Sequence, residues 1–289
     1  MDYLYFPGCT LYTKAKNLDR AAREAARVVG FELHELSNWT CCGAAFPLAT
    51  DNIMALLPPS RILANAMKEG ENLTTLCSVC FNVLRRTLHL LESDPEKREK
   101  IFDFIEMEYR EGFHLVHYLE ILRDEIGFEN VKKKVERDLK GLRVAPFYGC
   151  MLLRPSEEMR FDDKENPSIF ENLVESIGCK AVDFPYKIEC CGSFQAVGAP
   201  EVATECGHAI LSSALKNGAE AVTTTCPLCQ FNLDTKQREM KEKYPDFPGL
   251  PVLYFSQLMG LSLGLPVETL DFGRNDVDPV PLLEGRGIL

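Results

Sequence analysis

The sequence predicts an α/β chain of two pseudo-symmetric Rossmann-like βαβ domains with mainly parallel sheets, produced by internal duplication. Three observations carry this reading: a repeated unit, alternation of strand and helix patterns within each copy, and ten cysteines set out five and five. TTLCSVCFNVL (74–84) recurs as TTTCPLCQFNL (223–233), NWTCCGAAF (38–46) as IECCGSFQA (188–196), and YFPGCTL (5–11) as FYGCMLL (147–153). Cys190 and Cys226 lie 149 residues after Cys41 and Cys77, whereas Cys150 lies 141 after Cys9, so the second copy holds an eight-residue insertion. LVHYLEIL (115–122) also matches VLYFSQLMGL (252–261) loosely. Self-similarity at one spacing is the signature of a duplicated structural unit.

Within the first copy, residues 2–7 are rich in aromatics and read as a buried strand. Residues 18–29 place apolar or small side chains at helical spacing, and Gly30 follows at the capping position. Residues 31–36 alternate as a second strand, 61–68 form a helix stopped near Gly70, 73–76 a strand and 81–91 a helix. The second copy repeats the order at 143–148, 169–177, 180–184, 208–216, 221–225 and 231–241. Strands alternating with helices of this length imply βαβ units and a parallel sheet. The division expected is a first domain at 1–128, a charged linker helix at 129–142, a second domain at 143–262 and an extended tail at 263–289 that is either loop or a partner-docking arm. The stretch 92–111 is densely charged.

Composition narrows the function classes. Of 289 residues, 46% are hydrophobic and 26% charged, which is ordinary for a globular chain. A net charge of -11 disfavours sequence-independent nucleic-acid binding, which depends on neutralising phosphates. The start, MDYLYFPGCT, lacks the basic and apolar regions of a secretory signal. The least polar stretch, 252–266, is interrupted by Ser256, Gln257 and Ser262 and falls short of the roughly 20 apolar residues of a membrane span. A cytoplasmic protein is expected, where thiols stay reduced. Twelve cysteines in such a place read as ligands or redox groups.

Ten of the twelve fall into a doubled pattern. In the first copy 31 residues separate Cys9 from Cys41-Cys42-Gly43, and 33 more lead to Cys77-Ser78-Val79-Cys80. In the second, 39 residues separate Cys150 from Cys190-Cys191-Gly192, and 33 lead to Cys226-Pro227-Leu228-Cys229. Nearly all follow a predicted strand, so they converge on the rim where ligands of parallel sheets bind. A structural zinc takes four ligands, commonly two CxxC pairs or a CxxC with histidines. Each copy has one CxxC and no paired histidine. Neighbouring cysteines in extended backbone point apart, which suits two irons of a cluster better than one ion. The compact run of an ordinary cubane ferredoxin is missing. One iron–sulfur cluster per copy follows, with a thiol to spare over a standard cubane.

Cys–x₃₁–Cys-Cys-Gly–x₃₃–Cys-x-x-Cys, present twice, resembles the tandem CCG-domain family. In length and motif placement the chain is similar to the B subunits of methanogen heterodisulfide reductases over about residues 3–261. The resemblance implies that Cys9, Cys41, Cys42, Cys77 and Cys80 hold one non-cubane [4Fe-4S] cluster and that Cys150, Cys190, Cys191, Cys226 and Cys229 hold the other. It implies reduction of the coenzyme M–coenzyme B mixed disulfide to two thiols. The implied partners are a ferredoxin-like subunit and a flavin-bearing subunit, fed by a hydrogenase or formate dehydrogenase in a larger assembly. That substrate carries sulfonate, phosphate and carboxylates, so Lys14, Lys16 and Arg154, close behind Cys9 and Cys150, become contact candidates. His208, opening a predicted helix, is a candidate proton donor to a departing thiolate. Gly43 and Gly192 are expected to leave backbone room beside a cluster. Cys179 and Cys206 are expected to be packing residues.

Two other readings remain open at this level. CCG domains also occur in iron–sulfur subunits of lactate, glycolate or succinate-type oxidoreductases, which relay electrons to a quinone or thiol acceptor. A structural zinc or thiol module without redox turnover is the other. Neither G-x-G-x-x-G nor a Walker loop occurs in the chain.

Overall fold

A computed structural model describes residues 1–44 and 53–289. Ala45 and Phe46, which end the first CCG repeat, lie outside the described residues. The first half runs β1 (Asp2–Tyr5), α1 (Gly8–Thr13), α2 (Lys16–Val29), β2 (Glu32–Glu35), α3 (Leu57–Glu69), β3 (Asn72–Thr75), α4 (Ser78–Ser93), α5 (Pro95–Ile105) and β4 (His114–His117). After α6 (Tyr118–Glu120), its π-helical continuation Ile121–Ile126 and α7 (Phe128–Lys132), the second half begins at β5 (Arg143–Pro146). It continues through α8 (Ser156–Met159), α9 (Ile169–Ser176), β6 (Lys180–Ala181), α10 (Pro200–Lys216), β7 (Ala221–Thr224), α11 (Pro227–Gln230), α12 (Gln237–Lys243), β8 (Val252–Tyr254) and α13 (Phe255–Ser262).

The two sheets have the same topology. Their orders are β2-β1-β3-β4 and β6-β5-β7-β8, and every pairing is parallel. Each central strand is covered on both faces, which is why β7 is buried along its whole length and β3 for three of its four residues. Helix α2 shows the period that builds the layers: Leu18, Ala21, Ala22, Ala25, Ala26 and Val29 are buried on one face. It stops at Gly30, whose φ of 108° takes the left-handed cap.

The duplicated α/β architecture read from the sequence is therefore present, and several boundaries differ. Helix α4 begins at Ser78 rather than residue 81, which puts Cys80 in its first turn. Helix α10 begins at Pro200, eight residues before His208. The helix expected at 231–241 divides into a π-helical turn, Phe231–Thr235, and α12. The charged stretch at 92–111 contributes α5, with Ile101, Phe102 and Ile105 buried. The expected linker helix stops at Lys132, because the Glu136 and Arg137 amides turn aside to donate to the Ser262 carbonyl, both at 2.9 Å.

The tail is not extended. It forms α14 (Val267–Leu270), a 3-10 turn at Phe272–Arg274 and α15 (Val280–Gly285), and it is folded onto its own chain. The Gln257 amide donates to the Leu270 carbonyl (2.9 Å), and Asn275 Nδ2 donates to the Val252 carbonyl (2.7 Å). Buried Asp234 accepts from the Asp276 and Val277 amides. Leu270 and Leu283 are fully buried. Those groups are satisfied within the chain.

The halves meet along α13. Phe255 lies between Tyr118 of the first half (5.4 Å between centroids) and Phe170 of the second (6.3 Å). Next to it, Ser256 Oγ donates to the Leu18 carbonyl at 3.0 Å. Asn82 Nδ2 crosses the other way, to the carbonyls of Met151 (2.8 Å) and Arg154 (2.7 Å).

Equivalent corners close both sheets. Glu120 Oε2 accepts from the His117 amide at 2.7 Å, and Gln257 Oε1 does the same for Tyr254 at 3.0 Å. Burial pushes the Glu120 carboxyl up to about 7 from an ordinary 4.5, so the folded chain keeps a proton that the unfolded chain releases. The stability this gives is complete below pH 4.5 and is lost as pH rises through 7. Glu120→Gln, which copies the other half, is expected to remove that loss. The variant gains up to about 3 kcal/mol over wild type at pH 8 and little at pH 4.5. Urea melts at the two pH values read this out, and equal slopes for both proteins would contradict it.

Candidate metal centres

All ten paired cysteines sit beyond the C-terminal ends of strands. Cys9 follows β1 in the first turn of α1, Cys41 and Cys42 follow β2, and Cys77 caps α4 directly after β3. Cys150 lies in the turn after β5, Cys190 and Cys191 in the loop after β6, and Cys226 caps α11 after β7. Short strands make this possible, since each releases the chain at one rim after four residues or fewer.

Each half arranges its five thiols in the same way. An outer pair, Cys9 and Cys41, has its sulfurs 3.7 Å apart, and in the second half Cys150 and Cys190 lie close enough to shift each other's protonation. An inner, buried pair joins the CCG motif to the CxxC motif: Cys42 to Cys80 at 3.5 Å, and Cys191 to Cys229 at 3.4 Å. The fifth thiols, Cys77 and Cys226, lie close enough across the boundary between the halves for each to shift the other's protonation, Cys77 downward and Cys226 upward. Beside them, Ser78 Oγ and Thr225 Oγ1 are 2.5 Å apart. The hydrogen bonds split each set electrically. Cys41 and then Cys80 hold the Cys42 thiol well below the usual thiol range, and Cys150 lowers Cys190. Thiolates are the form that binds metal.

The residues fit a sulfur-ligated iron cluster. The donor set is soft, as iron–sulfur sites require. Among the described residues no three His, Cys, Asp or Glu side chains are grouped to hold a metal ion. The thiols meet in pairs around each rim, and each half supplies five of them where a structural tetrahedral ion takes four. Glycines keep the rims open: a Cβ on Gly8 would lie 2.8 Å from Cys80 Sγ, and one on Gly149 3.3 Å from Cys229 Sγ. Both glycines have positive φ, +72° and +64°. The buried hydroxyls of Thr74, Thr75 and Thr223, on the strands leading into the CxxC motifs, have no protein partner.

The other predicted residues are placed unevenly. Lys14 lines a cavity of about 610 Å³ between the halves, with Thr10, Phe231, Thr235, Tyr254 and Arg274. None of the ten cysteines lines this cavity, but Pro227 and Leu228, the two residues between Cys226 and Cys229, do, which sets it next to the second CxxC motif. Lys16 and Arg154 are exposed and do not line it. His208 stacks on Tyr244 at 3.7 Å, meets Phe247 edge-on and contacts Ser212 Oγ. Its cavity is lined by none of the ten cysteines, so the geometry gives no support to a proton-donor role there. Gly43 and Gly192 have φ of 85° and 76°. Cys179 is buried, and Cys206 is half-buried against Gly192, whose added Cβ would lie 3.4 Å from the Cys206 sulfur. The sequence reading passed over Gly8 and Gly149, although the shared Gly-Cys of the repeat marked them. Arg274 had no local signal, because the folded tail alone delivers it.

Known proteins resemble the chain in sequence and in fold. Residues 3–85 and 144–234 each match the CCG model, described as a cysteine-rich domain. The chain is a tandem CCG protein. Over 97% of its length it is 33% identical to the 8-methylmenaquinol:fumarate reductase membrane anchor subunit of Wolinella succinogenes, covering 99% of that protein. Over 96% it is 30% identical to the B subunit of the ferredoxin:CoB-CoM heterodisulfide reductase of Methanosarcina mazei, covering 94% of it. A crystal structure of a hypothetical protein from Helicobacter pylori superposes with a TM-score of 0.71 at 13% identity, over 95% of this chain and 51% of that one, a likeness of fold. No helix among the described residues of this tandem CCG protein is long and apolar enough to cross a membrane.

Proposed function

We propose that this tandem CCG protein is the iron–sulfur subunit of an oxidoreductase complex, with one non-cubane [4Fe-4S] cluster in each five-cysteine cradle, and that it reduces a small-molecule disulfide. The observation that carries the reading is the meeting of Cys77 and Cys226 beside the cavity of Lys14 and Arg274. Cleaving a disulfide to two thiols takes two electrons and two protons, and a bound cluster supplies electrons one at a time. Lys14 and Arg274 line the cavity together with the carboxylates of Asp234 and Asp276, and Arg274 is paired with Asp271 at 2.7 Å, so Lys14 is the proposed contact for an acidic group of the substrate. Tyr254 and Phe231 add aromatic surface to its lining. The mixed disulfide of coenzymes M and B, named for the Methanosarcina relative, is the substrate proposed. The proposed partners are a ferredoxin-like subunit and a flavin-bearing subunit, with a hydrogenase or formate dehydrogenase upstream, in the cytoplasm.

The match to the fumarate reductase protein supports a second reading, in which the same cradles relay electrons from a quinol and no disulfide turns over. The anaerobically purified complex separates them. Oxidation of reduced viologen dye on adding the mixed disulfide is expected under the first reading. Cluster reduction by a menaquinol analogue without disulfide turnover would establish the second. Zinc as the sole metal would reject both.

A further inference from the structure

The outer thiol pair of each cradle is the more exposed one, and it joins two segments far apart in sequence. Something must hold those segments in register. In the second half that task falls on a buried cation. Lys187, three residues before Cys190, is 7% exposed. Its Nζ donates to Glu171 Oε1 and Asp183 Oδ1, both at 2.9 Å, and to Asn166 Oδ1 and the Pro167 carbonyl, both at 3.3 Å. Its own carbonyl accepts from the Tyr148 and Gly149 amides at 2.9 and 3.2 Å, the two residues before Cys150. Tyr148 OH donates to Glu171 and accepts from the Phe170 amide. One lysine thus ties the approach to Cys190, helix α9 and the approach to Cys150.

The first half reaches the same result with different residues. Tyr5 OH donates to Asp19 Oδ1 at 2.7 Å, and Arg23 Nε donates to the same carboxylate at 3.0 Å. The guanidinium lies 4.5 Å from the Tyr5 ring and reaches Glu35 at 2.6 Å. Glu35 then accepts from the Trp39 indole at 3.1 Å, two residues before Cys41. Trp39 packs edge-on against Phe6 and Tyr12, which flank Cys9 in the chain. The repeat motifs contain neither cation, so this likeness lies in the folded structure.

We propose that these two tyrosine–carboxylate–cation clamps set the geometry of the outer thiol pairs, with Lys187 the positioning residue of the second cradle and Arg23 that of the first. Removing the cation from such a network leaves its carboxylates without their counter-charge, and the segments they joined lose their register. The iron readout rests on the cluster reading above; the clamp itself does not.

Lys187→Met is expected to lose or broaden the electron resonance signal of the second cluster and to bring iron from about eight to about four per chain. The first cluster's signal stays unchanged. Arg23→Met is expected to do the reverse, and Lys187→Arg to restore most of the second signal. Where Lys187→Met fails to fold, Glu171→Gln removes the charge while keeping an acceptor for Tyr148, with the same expected signature. A drop in melting temperature with both signals intact would show a merely structural lysine and overturn the proposal. The iron-free chain provides an independent measure. Cross-linking by dibromobimane should fall several-fold for Cys150 with Cys190 in Lys187→Met and stay unchanged for Cys9 with Cys41. A chain with no iron in the wild type would remove the cluster reading, and the cross-link yield would still decide the clamp. Equal yields in variant and wild type reject it.

Discussion

Changing Cys42 to serine is expected to halve the iron of the anaerobically purified protein, from about eight to about four per chain, and to abolish one of two electron resonance signals. Cys42 is chosen because its buried sulfur is 3.5 Å from Cys80 and is held as the thiolate by the thiols around it. A serine hydroxyl keeps the volume but does not ionise in this range, so the soft ligand is lost. Cys191→Ser is the mirror experiment, since Cys191 faces Cys229 at 3.4 Å in the same role. The signal that survives in one variant is the one that vanishes in the other. Disulfide-dependent dye oxidation is expected to fall at least 100-fold in both, because the two-electron step needs both cradles (~3 kcal/mol of barrier). Iron unchanged in both variants would refute the ligand assignment. Loss of all iron in either one would mean that the cradles do not assemble independently.

Much of this site was legible because its chemistry is written in residue type and spacing. Cysteines are few, their side chains are short, and 33 residues from CCG to CxxC in both copies leave little room for coincidence. The parallel sheets were legible for a related reason, as strand and helix periods alternate in each copy. What stayed hidden depends on tertiary partners. The tail has little periodicity, and Asn275 and Asp276 acquire meaning only from the groups they meet, Val252 and Asp234. His208 looks like a proton donor beside a cysteine motif until Tyr244 and Phe247 enclose its ring. No local pattern in the sequence sets Arg23 over the Tyr5 ring or the Lys187 carbonyl against the Tyr148 amide. Arg274 is the sharpest case: it lies 45 residues after Cys229 and still borders the same crevice.

Truncating Phe255 to alanine should act on a different level, by loosening the halves while leaving each cradle whole. Its ring is the shared partner of Tyr118 and Phe170, and it opens the helix whose Ser256 bonds to the Leu18 carbonyl. Removing a fully buried phenyl group costs about 3–5 kcal/mol, a fall of roughly 10 °C in melting temperature for a chain of this size. Most of the thiol contacts, by contrast, are made within one half, from the ends of that half's own strands. Iron is therefore expected to stay near eight per chain in Phe255→Ala. The exceptions are Cys77 with Cys226 and the cavity of Lys14 and Arg274, which exist only while the halves are held together. Turnover should fall accordingly, with Phe255→Leu recovering most of both properties. A variant with lowered melting temperature, full iron and undiminished turnover would place the reaction inside a single half. One that loses turnover while keeping both clusters would locate it at the junction.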